Sequence, residues 1–121
     1  MMKDIELAKD LLKAQEKAIV IVKDGKVIFS SEGKGIKPVY TALSELKDRL
    51  QGSSAADRVV GRAAAMIYKH AGIKELSTGL ISEKALDVLK NTSIVYWVAK
   101  ILWKTKQHNI SSAKTSNTYF V

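Results

Sequence analysis

Residues 18–36, AIVIVKDGKVIFSSEGKGI, constrain the fold of this chain more than any other stretch. Ile19, Val20, Ile21 and Val22 form an unbroken β-branched run, which suits a strand covered on both faces. Asp24-Gly25 follows, a two-residue hairpin turn, and Val27-Ile28-Phe29 supplies the return strand. A hairpin with one fully apolar strand needs helices to bury it. Residues 53–72, SSAADRVVGRAAAMIYKHAG, offer a segment rich in small residues that suits close packing against a sheet. The two together predict a layered α/β domain.

The remaining segments fill in that layout. In residues 3–16 the apolar positions Ile5, Leu7, Ala8, Leu11 and Leu12 recur near a helical period, and Asp4 and Glu6 sit where the helix dipole favours acids. Gly33-Lys34-Gly35-Ile36-Lys37 reads as a loop leading to Pro38, a good first helical residue. Val39, Leu43, Leu46 and Leu50 then mark one face of a helix ending near Gly52. Ser53-Ser54 is read as the cap of the next helix, with Ser54 and Asp57 as its capping box and Gly61 in its interior for close packing. That helix is apolar on most sides, is expected to be buried, and ends at Ala71-Gly72 with Lys69 and His70 in the last turn. Residues 75–81 read as a strand, Ser82 caps a short helix, and residues 94–98 form a last strand. The order helix, strand, strand, helix, helix, strand, helix, strand predicts a three-layer α/β/α sandwich with a mixed sheet and parallel later strands.

At 121 residues and 46% hydrophobic, the chain is long enough for one domain with a real core. The absence of cysteine excludes disulfides, thiolate metal ligation and a cysteine nucleophile. The charged amphipathic start and the lack of a long apolar run lead us to expect a cytoplasmic protein without a membrane segment. The net charge of +8 is uneven, since residues 91–121 hold four lysines and no acid. We expect that acid-free stretch to be a divergent, partly disordered, solvated tail.

Several of these segments resemble a small bacterial family of unknown function assigned to the cytidine-deaminase-like superfamily. The resemblance covers roughly residues 3–90 and rests on IVIVKDGKVIFSSEGKGIKP, on Ser54, Ala56, Asp57, Arg58, Val59, Val60, Gly61, Arg62, Ala63 and Ala64, and on GLISEKALDVL. It implies a cytidine-deaminase-like fold and commonly an oligomer. Zinc deaminases hold their metal at two helix starts, through His or Cys near a Glu and through P-C-x-x-C. Ser53-Ser54-Ala55-Ala56-Asp57 and Ser82-Glu83-Lys84-Ala85, the starts read as corresponding, contain neither imidazole nor thiol. No catalytic residue, metal ligand or cofactor is therefore assigned.

The functional reading of the sequence is a binding site at helix N-termini for an anionic, nucleotide-like small molecule. Its residues are Ser53, Ser54, Asp57, Arg58, Arg62, Lys34 and Ser82. The bland reading of Ser54, Asp57 and Ser82 is helix capping alone. A homodimer sealed through an exposed strand edge, with Trp103 or Phe120 nearby, or through the outer helices is a second partner expectation. The alternative is weak nucleic-acid binding, with Tyr96, Trp97, Trp103, Tyr119 and Phe120 as stacking groups. His70 and His108 have no partner in sequence that suggests catalysis.

Overall fold

The computed structural model describes residues 2–102. Trp103, His108, Tyr119 and Phe120 lie outside the described residues. Helix α1 (Asp4–Ala14) leads into the hairpin β1 (Ile19–Lys23) and β2 (Lys26–Ser31), then helix α2 (Lys37–Leu46), which closes in a short 3₁₀ turn at Lys47–Leu50. Strand β3 (Ser54–Val60), helix α3 (Arg62–Ala71), strand β4 (Glu75–Ser82), helix α4 (Glu83–Lys90) and strand β5 (Val95–Leu102) complete the order. The sheet runs β2-β1-β3-β4-β5, antiparallel across β2, β1 and β3 and parallel across β3, β4 and β5.

The hairpin forms as its residues dictate. Asp24 and Gly25 both take positive φ, 53° and 78°, the backbone that a two-residue turn with the right-handed strand twist requires. Asp4 at the start of α1 fixes this turn, because its two carboxylate oxygens accept the Asp24 and Gly25 backbone N–H groups at 2.9 Å each. The four residues Ile19 to Val22 are all buried, as a strand between two helical layers must be. Their side chains alternate between two cores. Val20 and Val22 meet Ala8 and Ala56 under α1, while Ile19 and Ile21 join the larger core made with α2, α3 and α4. The three-layer sandwich follows: α1 on one face, the other three helices on the opposite one.

The principal correction concerns residues 53–61. They do not begin a helix; Ser54–Val60 is the central strand, and α3 starts seven residues later than Ser54–Asp57 capping would place it, with Gly61 as its N-cap. Alanine is the best helix former, but propensity is a weak influence that tertiary position overrides. Here Ala55 and Ala56 are fully buried on opposite faces, where their lack of bulk lets both helical layers approach the strand. Val59-Val60 followed by Gly61 was the local signal for a strand ending at a helix start. Nor is the resulting helix buried all round, since Arg62, Ala63, Met66, Lys69 and His70 are exposed. Its end behaves as the sequence indicates: Gly72, at φ 73°, donates to the Tyr68 and Lys69 carbonyls.

One irregularity shapes the sheet's far end. The paired rows of β3, β4 and β5 skip Arg58, Gly79 and Ala99 and resume in the same register. Across this break the alternation reverses, so Val60, Ile81 and Ile101 rejoin the core that Ala55, Leu76 and Val98 already occupy. Gly79 permits the break, because a Cβ there would sit 3.3 Å from the Arg58 carbonyl oxygen. Thr78 Oγ1 spans it, donating to the Leu80 carbonyl at 3.0 Å and lying 3.4 Å from that of Arg58.

Two stability measurements check this account. Asp4→Ala is expected to cost roughly 1–2 kcal/mol in urea unfolding, because two backbone donors lose a charged acceptor. Ala56→Leu is expected to cost about 1–3 kcal/mol through overpacking beneath α1, and an unchanged midpoint would contradict the placement of β3.

Candidate functional site

A cavity of about 620 Å³ opens where β3 hands over to α3. Its lining comes from four places: Glu16 and Ala18 before β1, the loop residues Gly33 to Ile36 with Pro38, the end of β3 from Asp57 to Val59, and Gly61 to Ala64 at the start of α3. The break at Arg58 and Gly79 leaves Val59 exposed, and it lines this cavity rather than the core.

Local backbone requirements build the walls. Gly33 packs against Pro38, where a Cβ would approach the ring at 3.3 Å, and its N–H donates to Ser31 Oγ. Gly61 is extended, and a Cβ on it would meet nothing within 4 Å. The expected close helix–sheet packing at Gly61 is therefore absent. What this glycine does is cap α3 without a side chain. The first-turn N–H groups of Arg62, Ala63 and Ala64 have no intrahelical acceptor and no side-chain cap. Lys17, next to Ala18, ties the rim together. Lys17 pairs with Glu32 at 3.0 Å, and its carbonyl accepts Arg58 Nε at 2.6 Å. Sequence reasoning missed Lys17, whose role depends wholly on contacts remote along the chain.

Of the seven residues expected at a site, the fold brings four together: Lys34, Asp57, Arg58 and Arg62 all line the cavity. Ser53 and Ser54 sit instead at the opposite end of β3 and cap no helix. Ser53 Oγ donates to the Leu50 carbonyl at 2.6 Å, and Ser54 Oγ donates to Glu75 Oε1 at 3.0 Å, so both are buried structural groups. Ser82 does cap α4, accepting the Ala85 N–H at 3.1 Å, but it does not line the cavity. His70 lies in the last turn of α3, also away from it.

Asp57 does not form a capping box with Ser54. Its half-buried carboxyl accepts the Tyr68 hydroxyl at 2.6 Å through Oδ2 and the Val59 N–H at 3.3 Å through Oδ1. Burial pushes its pKa up from 3.8 to about 6, against the two hydrogen bonds that favour the carboxylate. Tyr68, fully buried, is pushed well above its ordinary value by burial and by the adjacent Asp57 charge. Among the described residues no Lys, Arg or His lies within ion-pair distance of Asp57. The Asp57 carboxyl is thus held at the cavity wall by hydrogen bonds, with no ion-pair partner among the described residues.

The resemblance placed the two deaminase-type helix starts at Ser53 and Ser82. The two helix starts that flank the cavity are those of α2 and α3, at Ile36–Val39 and Gly61–Ala64. These positions carry neither imidazole nor thiol, and no group of three His, Cys, Asp or Glu among the described residues could hold a metal. A deaminase-type zinc ion does not fit this donor set. What the cavity offers is backbone N–H donors, three cations (Lys34, Arg58, Arg62), one half-buried acid and an apolar lining that includes Ile36, Pro38 and Val59.

Asp57 makes a pH signature. Its folded-state pKa lies above the unfolded value, so its contribution to stability is fully present below about pH 4 and is lost as pH rises to about 6. Between those limits the wild type should lose roughly 2–3 kcal/mol relative to Asp57→Asn, whose amide oxygen still accepts from Tyr68. Paired urea titrations at pH 4 and pH 7 measure this, and a difference that does not change with pH would refute it.

Comparison with known proteins bears on the fold. The structure is similar to a DUF1893 family protein from Thermotoga maritima, with a TM-score of 0.75 and 23% identity over 84% of this chain and 69% of that one. It is also similar to RibD from Acinetobacter baumannii in two forms. Their TM-scores are 0.55 and 0.54 and their identities 21% and 22%, over 67% of this chain and 27% of theirs. These likenesses, all below 25% identity, establish a shared α/β fold. No curated protein matches the chain in sequence. The sequence pattern of the DUF1893 domain of unknown function matches residues 7–108, running on past residue 90, where the resemblance was expected to stop. With that match spanning most of its length, the chain belongs to the DUF1893 family.

Proposed function

We propose that the protein is a small-molecule-binding domain whose cavity at the β3–α3 junction takes a ligand with an anionic, nucleotide-like group. One observation carries this reading. The uncapped first turn of α3 opens on the same cavity that Lys34, Arg58 and Arg62 line. Unpaired N–H groups at the positive end of a helix, together with guanidinium forks, suit phosphate or carboxylate oxygens. The Arg58 side chain is already oriented by the Lys17 carbonyl, which lowers the cost of using its other donors on a ligand. The missing zinc donors speak against a hydrolytic deaminase, and binding does not need them.

The competing reading, nucleic-acid binding, has less support. Acids interleave with the cations at this cavity, Glu16, Glu32 and Asp57 against Lys34, Arg58 and Arg62, so it is not a basic groove of the kind that tracks a phosphate backbone. Tyr96 and Trp97 are half-buried in β5. A cytoplasmic location fits a chain with no described helix long and apolar enough to cross a membrane. Dimerisation through the β5 edge would be a separate property of the fold.

Thermal unfolding with inorganic phosphate, pyrophosphate and AMP tests the proposal. At 100 times the dissociation constant, stabilisation of about 2.7 kcal/mol is expected, vanishing in the Arg58→Ala/Arg62→Ala variant and persisting in Ser54→Ala. No shift with any of the three, or binding to RNA that falls steeply with salt, would overturn it.

A further inference from the structure

We propose that Asp57 makes this cavity selective for ligands that carry a cationic N–H donor, an amidinium or ammonium group, on an apolar body. The inference rests on the reading of the cavity as a ligand site but concerns a different part of the ligand from the anionic group held at α3. Asp57 is a half-buried acid with no cation in ion-pair distance among the described residues, although three cations line the same cavity. Leaving a carboxylate so placed is costly unless a partner arrives. Its position is not accidental. Tyr68, fully buried in the core, holds one oxygen, and the Val59 N–H approaches the other.

A carboxylate has about four lone-pair sites. Tyr68 and Val59 use two, so both oxygens retain acceptor capacity. Around it stand Ile19, its register partner on β1, and the apolar wall of Ile36, Pro38 and Val59. A low-polarity wall strengthens an ion pair formed there and favours a flat apolar body. The ionisable groups that share the cavity are Glu16, Glu32, Lys34, Arg58 and Arg62, and Tyr68 packs against Asp57 from α3. Burial raises the Asp57 pKa to about 6, so the acceptor form is complete only above that pH.

Three isosteric probes separate this inference from the reading beneath it: benzamidine, benzamide and benzoate, titrated into the intact protein and followed by backbone amide NMR shifts. Benzamidine is expected to bind at pH 7.5 at least tenfold more tightly than benzamide, shifting Asp57, Val59 and Tyr68 amides. Its affinity should fall about tenfold per pH unit once pH drops below 6, in the same protein. Asp57→Asn should abolish the preference, while Tyr68→Phe, which keeps the carboxylate, should retain it. Equal binding of benzamidine and benzamide, no binding of either, or an unchanged preference in Asp57→Asn would each overturn the inference. Benzoate or phosphate shifting the Arg62 to Ala64 amides in those cases would leave the anion site standing. Their failure beside a positive benzamidine result would remove the anion reading alone.

Discussion

Everything in this domain leans on the strand β3, whose first residues, Ser54 to Ala56, carry small side chains buried between the helical layers. β3 joins the antiparallel hairpin half of the sheet to its parallel half, and its register fixes both. Ala55 faces the larger core and Ala56 the smaller one, each at zero exposure. With larger residues there, α1 or the three helices opposite would have to stand off, and the β-branched run of β1 would lose its cover. The same strand carries Asp57 and Arg58 at the end where α3 begins. Core packing and the site are therefore two ends of one element.

The break in pairing at Arg58, Gly79 and Ala99 links these ends. It lets the strands return to the core at Val60, Ile81 and Ile101 while the intervening Arg58 and Val59 are released to the surface. Bulge-like irregularities commonly re-aim side chains beside functional sites. Here the outcome is a cavity whose wall holds an arginine, an exposed valine and a half-buried acid in three consecutive positions. A regular strand would have sent Arg58 and Val60 to the α1 side together.

Asp57 is placed where the fold stabilises its charged form poorly. Ionised, it costs the folded state free energy that two hydrogen bonds do not fully offset. Groups perturbed in this way are over-represented at functional sites. The two helix starts facing the cavity carry glycine, alanine, arginine and proline, and no imidazole, thiol or carboxylate. The proposed chemistry is recognition by charge and hydrogen bonding.

How much of this was legible beforehand follows from how local each cause is. The Asp24-Gly25 turn, the Gly72 helix end, the Ser82 cap and the Pro38 start depend on a few neighbouring residues, and the sequence alone determined them. Ser54 to Asp57 followed a capping pattern equally well, but the decisive forces there came from other segments: Glu75 for Ser54, Tyr68 for Asp57 and pairing with β1 and β4 for the backbone. The one local sign of a strand, Val59-Val60 before Gly61, stood against a capping pattern and a run of alanines that fit a helix as well. Composition supplied the cations and acids of the cavity. Only the tertiary structure decided that Lys34, Asp57, Arg58 and Arg62 meet while Ser53, Ser54 and Ser82 do not, because that choice is made by sheet order and by the row at which pairing breaks.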